Sequence, residues 1–121
     1  MERVLAGIGA IFALLAVAAG AFAAHALRAE LGPNIAVFET AARYQMYHGL
    51  GLLLIAWAIN RQPSNLLNWA GWLMVAGTIL FSGSLYGLAL TSARWFAAGA
   101  PFGGVALIAA WLCVSLAMFR R

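Results

Sequence analysis

VLAGIGAIFALLAVAAGAFAAHAL, residues Val4 to Leu27, holds no Asp, Glu, Lys or Arg over 24 consecutive positions. A helix needs about 20 apolar residues to cross a hydrocarbon core of roughly 30 Å. This one stretch is therefore long enough to name the solvent of the chain, and three more come after it. Arg43 and Arg61 bracket 17 residues without a charge, Arg61 and Arg94 bracket 32, and Arg94 and Arg120 bracket 25. Ala21-Phe22-Ala23 and Ala24-His25-Ala26 have the small-residue spacing of a cleavage site. The run before them exceeds the roughly 7–15 residues of a signal-peptide core, so the segment reads as a retained helix.

Composition agrees. The 121 residues are 65% hydrophobic and 8% charged, against about 25% charged in soluble domains, which excludes a water-facing fold. The net charge of +4 rests on seven arginines and no lysine. They stand singly at segment ends, which suits contact with lipid headgroups. Nucleic-acid binding would need a clustered basic patch. Cys113 is the lone cysteine, so no internal disulfide is possible, and it reads as a small core residue.

Punctuation between the apolar stretches divides the chain. Gly32-Pro33 breaks the first connection and Asn34 is a reasonable N-cap for the second helix. Arg61-Gln62-Pro63-Ser64-Asn65 forms the second turn, and Pro101 suits the first turn of a last helix. The expectation is an all-α polytopic membrane protein: a single domain over 1–121, a four-transmembrane-helix bundle of up-down-up-down topology, with helices at about 4–27, 35–60, 66–90 and 101–119. Arg3, Arg61, Arg120 and Arg121 then lie on one side and Arg28, Arg43 and Arg94 on the other, which places both termini in the cytoplasm. Trp57, Trp69 and Trp72 flank one interface and Tyr44, Tyr47 and Trp95 the other, as belt residues do. GAFAAHAL (Gly20–Leu27) can be laid over GSLYGLAL (Gly83–Leu90), a match that chance explains in a chain so rich in small residues and leucine.

The polar residues are more informative by position than by type. His25 ends the first helix, Glu39, Arg43, Gln45 and His48 begin the second, and Ser82, Ser84 and Tyr86 end the third. Because successive helices alternate in direction, all eight map to one half of the bilayer. Glu39 and Arg43 stand i to i+4 with the acid first, the better order for a helical ion pair, and read as a structural clasp rather than a proton relay. His25 reads as a helix-end residue. His48 lies deepest and is the best single candidate for function. Two histidines without an acid or thiol at ligand spacing give no metal site and no haem site, so no cofactor is expected. Gly83-x-x-x-Gly87 and Gly99-x-x-x-Gly103, with Gly104, read as helix-packing positions where small residues let backbones approach. No Gly-rich phosphate loop, nucleophile setting or acid–base carboxylate pair is present, which argues against an enzyme.

Four motifs together carry a resemblance: Gly20-Ala-Phe-Ala-Ala-His25-Ala-Leu27, Phe38-Glu-Thr-Ala-Ala-Arg-Tyr-Gln-Met-Tyr-His48, Leu80-Phe-Ser-Gly-Ser-Leu-Tyr86 and Pro101-Phe-Gly-Gly104. With them the chain resembles, over essentially its whole length, the YgdD-like family of small multi-pass inner-membrane proteins, a domain of unknown function with relatives in eukaryotes. Gly49, Gly51 and Ala100 depart from the pattern, where Ala, Ala and Thr are expected. The resemblance implies a four-helix protein of the cell inner membrane and no particular activity. The leading functional expectation is a non-catalytic accessory, assembly or interaction subunit, surrounded by membrane lipids and packed against a larger membrane complex or other copies of itself. The alternative is a one-leaflet polar cavity that binds or passes a lipid, quinone, proton or small polar solute. In either case the protein should stay with the membrane pellet through an alkaline carbonate wash and leave it only in detergent. Release by carbonate alone would contradict the reading of its solvent.

Overall fold

The computed structural model describes residues 1–120, and every long element among them is helical. Helix α1 runs over Glu2–Phe22 and passes into a π-helical turn, Ala23–Leu27. Helix α2, Arg28–Leu31, and a 3₁₀ turn, Gly32–Asn34, lead into α3, Ile35–Arg61. Helix α4 spans Asn65–Thr91; a 3₁₀ turn, Arg94–Ala98, then leads into α5, Gly99–Phe119. Three helical runs are long and apolar enough to cross a membrane: Glu2–Arg61, Asn65–Thr91 and Arg94–Phe119.

The first of these runs has 60 residues, yet α1 packs along α3, so the chain reverses inside it. Sequence punctuation puts the end of the first helix at Leu27; the helix instead continues to Leu31 through the π-helical turn. The reversal comes at Gly32, where φ is +55° and ψ −124°, a backbone shape that a residue with a Cβ rarely adopts. Asn34 also departs from expectation. Its backbone is already helical and its side chain caps nothing on α3. Its carboxamide donates to the Ala89 carbonyl at 3.3 Å and to Ser92 Oγ at 2.9 Å, which ties the first connection to the third. Ser64 is the working cap: extended in backbone, it accepts from the Leu67 N–H at 3.4 Å and starts α4. Helix α5 starts at Gly99, ahead of Pro101, whose missing N–H still falls among the unpaired donors of a first turn.

Each long helix packs chiefly on its neighbours in sequence: α1 on α3, α3 on α4, α4 on α5. Short connections make each pair antiparallel. At the end holding the amino terminus and the Gln62–Ser64 turn, the core is aliphatic, with Leu5, Leu52, Ile55, Leu67, Met74 and Leu107 packed together. A smaller apolar cluster, Ala23, Phe38 and Ala89, closes the opposite end. The outer faces are oily. Ile11, Leu14 and Val17 on α1 and Phe102, Val105 and Ile108 on α5 are 56–71% exposed, a surface that water would drive to aggregate and lipid accepts.

Glycine sets how close the helices come. A Cβ on Gly9 would lie 2.6 Å from the Gly49 carbonyl oxygen, and one on Gly49 2.8 Å from the Gly9 oxygen, so α1 and α3 touch backbone to backbone. Gly71 receives the Leu5 side chain and Gly77 that of Leu107. The anticipated glycine seam divides. Gly103 lies against the Phe81 backbone, Gly99 against Ser84 Oγ, and Gly87 against the Phe96 ring. Gly83 has nothing within 4 Å of a Cβ, and Gly104 has only Phe81 Cδ1 at 4.0 Å. These two are not packing positions, because the 3.6-residue repeat turns them away from the neighbouring backbone. Gly49→Val should destabilise the bundle by about 1–3 kcal/mol through overpacking against a backbone that cannot yield. Gly83→Ala should stabilise it by up to about 0.5–1 kcal/mol by removing backbone freedom. Unfolding titrations in mixed micelles separate the two.

Candidate functional site

Gln45 stands at the middle of α3 and is 7% exposed. Its Nε2 donates to the Phe12 carbonyl of α1 at 2.9 Å, and its Oε1 accepts from the Tyr86 hydroxyl of α4 at 2.8 Å. One carboxamide thus bridges two helices from a third. One turn earlier on both partners, Ser82 Oγ donates to the Ala41 carbonyl at 2.8 Å. Ala41 and Gln45 on α3, and Ser82 and Tyr86 on α4, are i, i+4 pairs on facing stripes, and because α3 and α4 run antiparallel the two bonds slant across the seam instead of forming parallel rungs. The Tyr86 ring is held edge-on to Phe38, centroids 5.0 Å apart.

Glu39 is paired, but not with Arg43. Its Oε2 accepts from Arg28 at 3.3 Å, because the first helix continues past Leu27 and carries Arg28 over the start of α3. Arg43 is exposed and makes no ion pair among the described residues. It lines an open groove of about 430 Å³ between α1 and α3, with Glu39, Tyr47 and Met46. His25 is exposed on the π-helical turn and borders a shallow, almost wholly apolar groove of about 630 Å³ with Phe22 and Phe38. Ser84 faces Gly99.

His48 faces elsewhere. It is 5% exposed, and its Nδ1 lies 2.6 Å from the Tyr44 carbonyl. A carbonyl oxygen only accepts, so Nδ1 carries the proton and Nε2 holds a lone pair. The ring borders a cavity of about 500 Å³ between α3, α4 and α5, lined by Tyr44, Tyr47, His48, Phe81, Gly104, Leu107, Ile108 and Trp111. Tyr44 lies 4.8 Å from Phe81, and His48 6.1 Å from Trp111, centroid to centroid.

The eight polar residues named from sequence therefore do not line one cavity. Gln45, Ser82 and Tyr86 are bonded within the helix seams, Ser84 lies against Gly99, Glu39 and Arg43 border one groove, His25 borders another, and His48 borders a third. Sequence reasoning missed Arg28, Asn34, Phe81 and Trp111. The i, i+4 spacing of Tyr44 and His48 signals one wall of the His48 cavity, but nothing in the fourth apolar stretch marks Trp111 as the other.

Residues 19–104 match a family profile described as "protein of unknown function (DUF423)". The chain belongs to the DUF423 family. It is 46% identical over 114 residues to a UPF0382 membrane protein of Staphylococcus haemolyticus, covering 93% of each chain. It is 43% identical over 115 residues to the UPF0382 membrane protein YwdK of Bacillus subtilis, covering 93% of this chain and 94% of that one. No solved structure matches it. The DUF423 match contains all the polar candidates from His25 to Tyr86, but reaches neither Phe12 nor Trp111.

If the Gln45 bridge ties the helices, a double-mutant cycle of Gln45→Leu and Tyr86→Phe should return a coupling of about 0.6 kcal/mol, and no more than about 1.7, the range of interhelical hydrogen bonds in lipid. The exposed Arg28–Glu39 pair should return roughly 0–1 kcal/mol in the same unfolding measurement, falling with salt.

Proposed function

We propose that this DUF423 protein is a non-catalytic subunit of the cell inner membrane that acts by packing against a larger membrane complex or other copies of itself. In this reading the Gly32 reversal divides the first helical run into two crossings, so the chain crosses four times, up-down-up-down. Helix α1 alone has 21 residues, roughly 30 Å at about 1.5 Å per residue. Arg3, Arg61 and Arg120 gather at one end and Arg28, Arg43 and Arg94 at the other, while Arg121 lies outside the described residues. With Arg121 counted beside Arg120 the first end is the more basic, which favours cytoplasmic termini. The YgdD-like resemblance points the same way, to a four-helix inner-membrane protein.

The observation that carries the proposal is the use of the buried polar groups. Tyr86 is joined to Gln45, and Gln45 and Ser82 to backbone carbonyls of neighbouring helices, which makes them ties between helices rather than the lining of a passage. The surface supports it too. Gly7, Ala10 and Ala18 lie exposed on α1 among Ile11 and Leu14, a mixture of small and branched residues that suits close helix–helix contact in lipid. Passage of a solute or proton through one polar cavity has less support, since Arg43 and His48 border separate hollows. Native mass spectrometry from a gentle detergent should show the chain in an assembly larger than one copy. A strictly monomeric particle, with the protein taken from its own membrane at native abundance, would overturn the proposal.

A further inference from the structure

The geometry points to a ligand site at His48 that takes an aromatic alcohol carrying an apolar tail, with the ligand's hydroxyl donating to His48 Nε2. This goes beyond the packing role and stands or falls separately from it. Its first support is the histidine itself. His48 is 95% buried by its 5% exposure, and its Nδ1 proton is committed to the Tyr44 carbonyl. No group of the chain bonds Nε2 among the described residues, nor is that atom one of the sealed, unpartnered ones. An acceptor so placed, on a ring that lines the cavity, is matched by a donor that enters from outside. A carbonyl, an ether or a phosphate would present lone pairs to a lone pair.

The second support is the wall. Tyr44, Phe81 and Trp111 bring ring faces and edges around the histidine, with Leu107 between them and Tyr47 at the rim. Aromatic surfaces favour offset or edge-on contact with another ring. A volume of about 500 Å³ lies within the roughly 300–1,000 Å³ of small-molecule sites. The cavity lies on the outer side of the bundle, beside the exposed Ile108, so a hydrocarbon tail can remain among lipids while the ring enters. Aliphatic alcohols fit the acceptor but leave the ring-lined wall unused.

The chain has two histidines, His25 and His48, so histidine-selective ¹⁵N labelling of the full protein in micelles gives two resolvable side chains, and His48→Gln identifies one of them. The unliganded spectrum should show His48 as the Nδ1–H tautomer. Addition of 4-decylphenol should shift the His48 Nε2 resonance saturably and leave His25 unmoved. The methyl ether 4-decylanisole, identical but without the donor, should leave Nε2 where it was. 2-Decylhydroquinone, kept reduced, distinguishes the natural source. A shift with it as well places the ligand among quinols, and a shift with the phenol alone places it among simple phenolic lipids; either supports the site. Gly104→Leu, where only Phe81 borders the Cβ position, should fill the cavity and weaken the phenol response at least tenfold while the tautomer persists. An Nε2–H tautomer, no shift with the phenol, equal shifts with phenol and ether, or an unchanged phenol response in Gly104→Leu would overturn the proposal.

Discussion

A carboxamide surrounded by hydrocarbon needs a partner at each end, and Gln45 has both, one from α1 and one from α4. An unpaired amide or carbonyl at this depth would cost several kcal/mol, so the rotation of α3 about its axis is fixed by this side chain more than by any apolar contact. The helical repeat then places the neighbouring contacts. Ala41 and Gly49 lie one turn to either side on nearly the same stripe. Ala41 presents its carbonyl to Ser82, and Gly49 presents bare backbone to Gly9. His48 and Gly51 fall on the adjoining stripe, toward Trp111. One buried amide thus sets the α1 contact, the α4 contact and the α5 cavity together.

The two halves of the bundle are held in different ways. Near the amino terminus and the Gln62–Ser64 turn the packing is chiefly one of shape, with Leu5 in the notch of Gly71 and Leu107 in that of Gly77, and the side-chain bond between helices there is the one from Trp72 Nε1 to Met1 Sδ at 3.2 Å. In lipid such contacts gain little from solvent exclusion, since the surroundings are as apolar as the core, and they depend on fit. The other half adds directional bonds at Ser82, Gln45, Tyr86 and Asn34. Direction gives that half its register, and the tight glycine contacts transmit it to the rest.

Much of this was legible in the sequence. Uncharged runs gave the helices and their solvent, and the alternation of helix direction gathered the polar residues toward one end, where the side-chain bonds between helices indeed concentrate. What the sequence could not show was which polar group meets which. Glu39 and Arg43 satisfy the local rule for an ion pair, yet the non-local Arg28 takes the carboxylate, because a π-helical turn carries the helix past Leu27 and brings Arg28 there. Asn34 looks like a cap and instead binds the far connection. Gly83 shares the spacing of a packing motif and faces open space, while Gly9 and Gly49, forty residues apart, meet backbone to backbone. Each miss is a pairing across sequence distance, which periodicity along a single helix does not encode. The same holds for the His48 cavity, whose far wall is one tryptophan in an otherwise uniform apolar stretch.

The most direct measure of the account is solvent exchange at a side chain. The chain has two glutamines, Gln45 and Gln62, one joined between helices and the other exposed in a turn. In lipid nanodiscs moved into D₂O, the carboxamide protons of Gln45 should persist long after those of Gln62 have vanished. Loss of both at the same rate would mean that the amide is open to water, and that the tie on which this structure depends is not made.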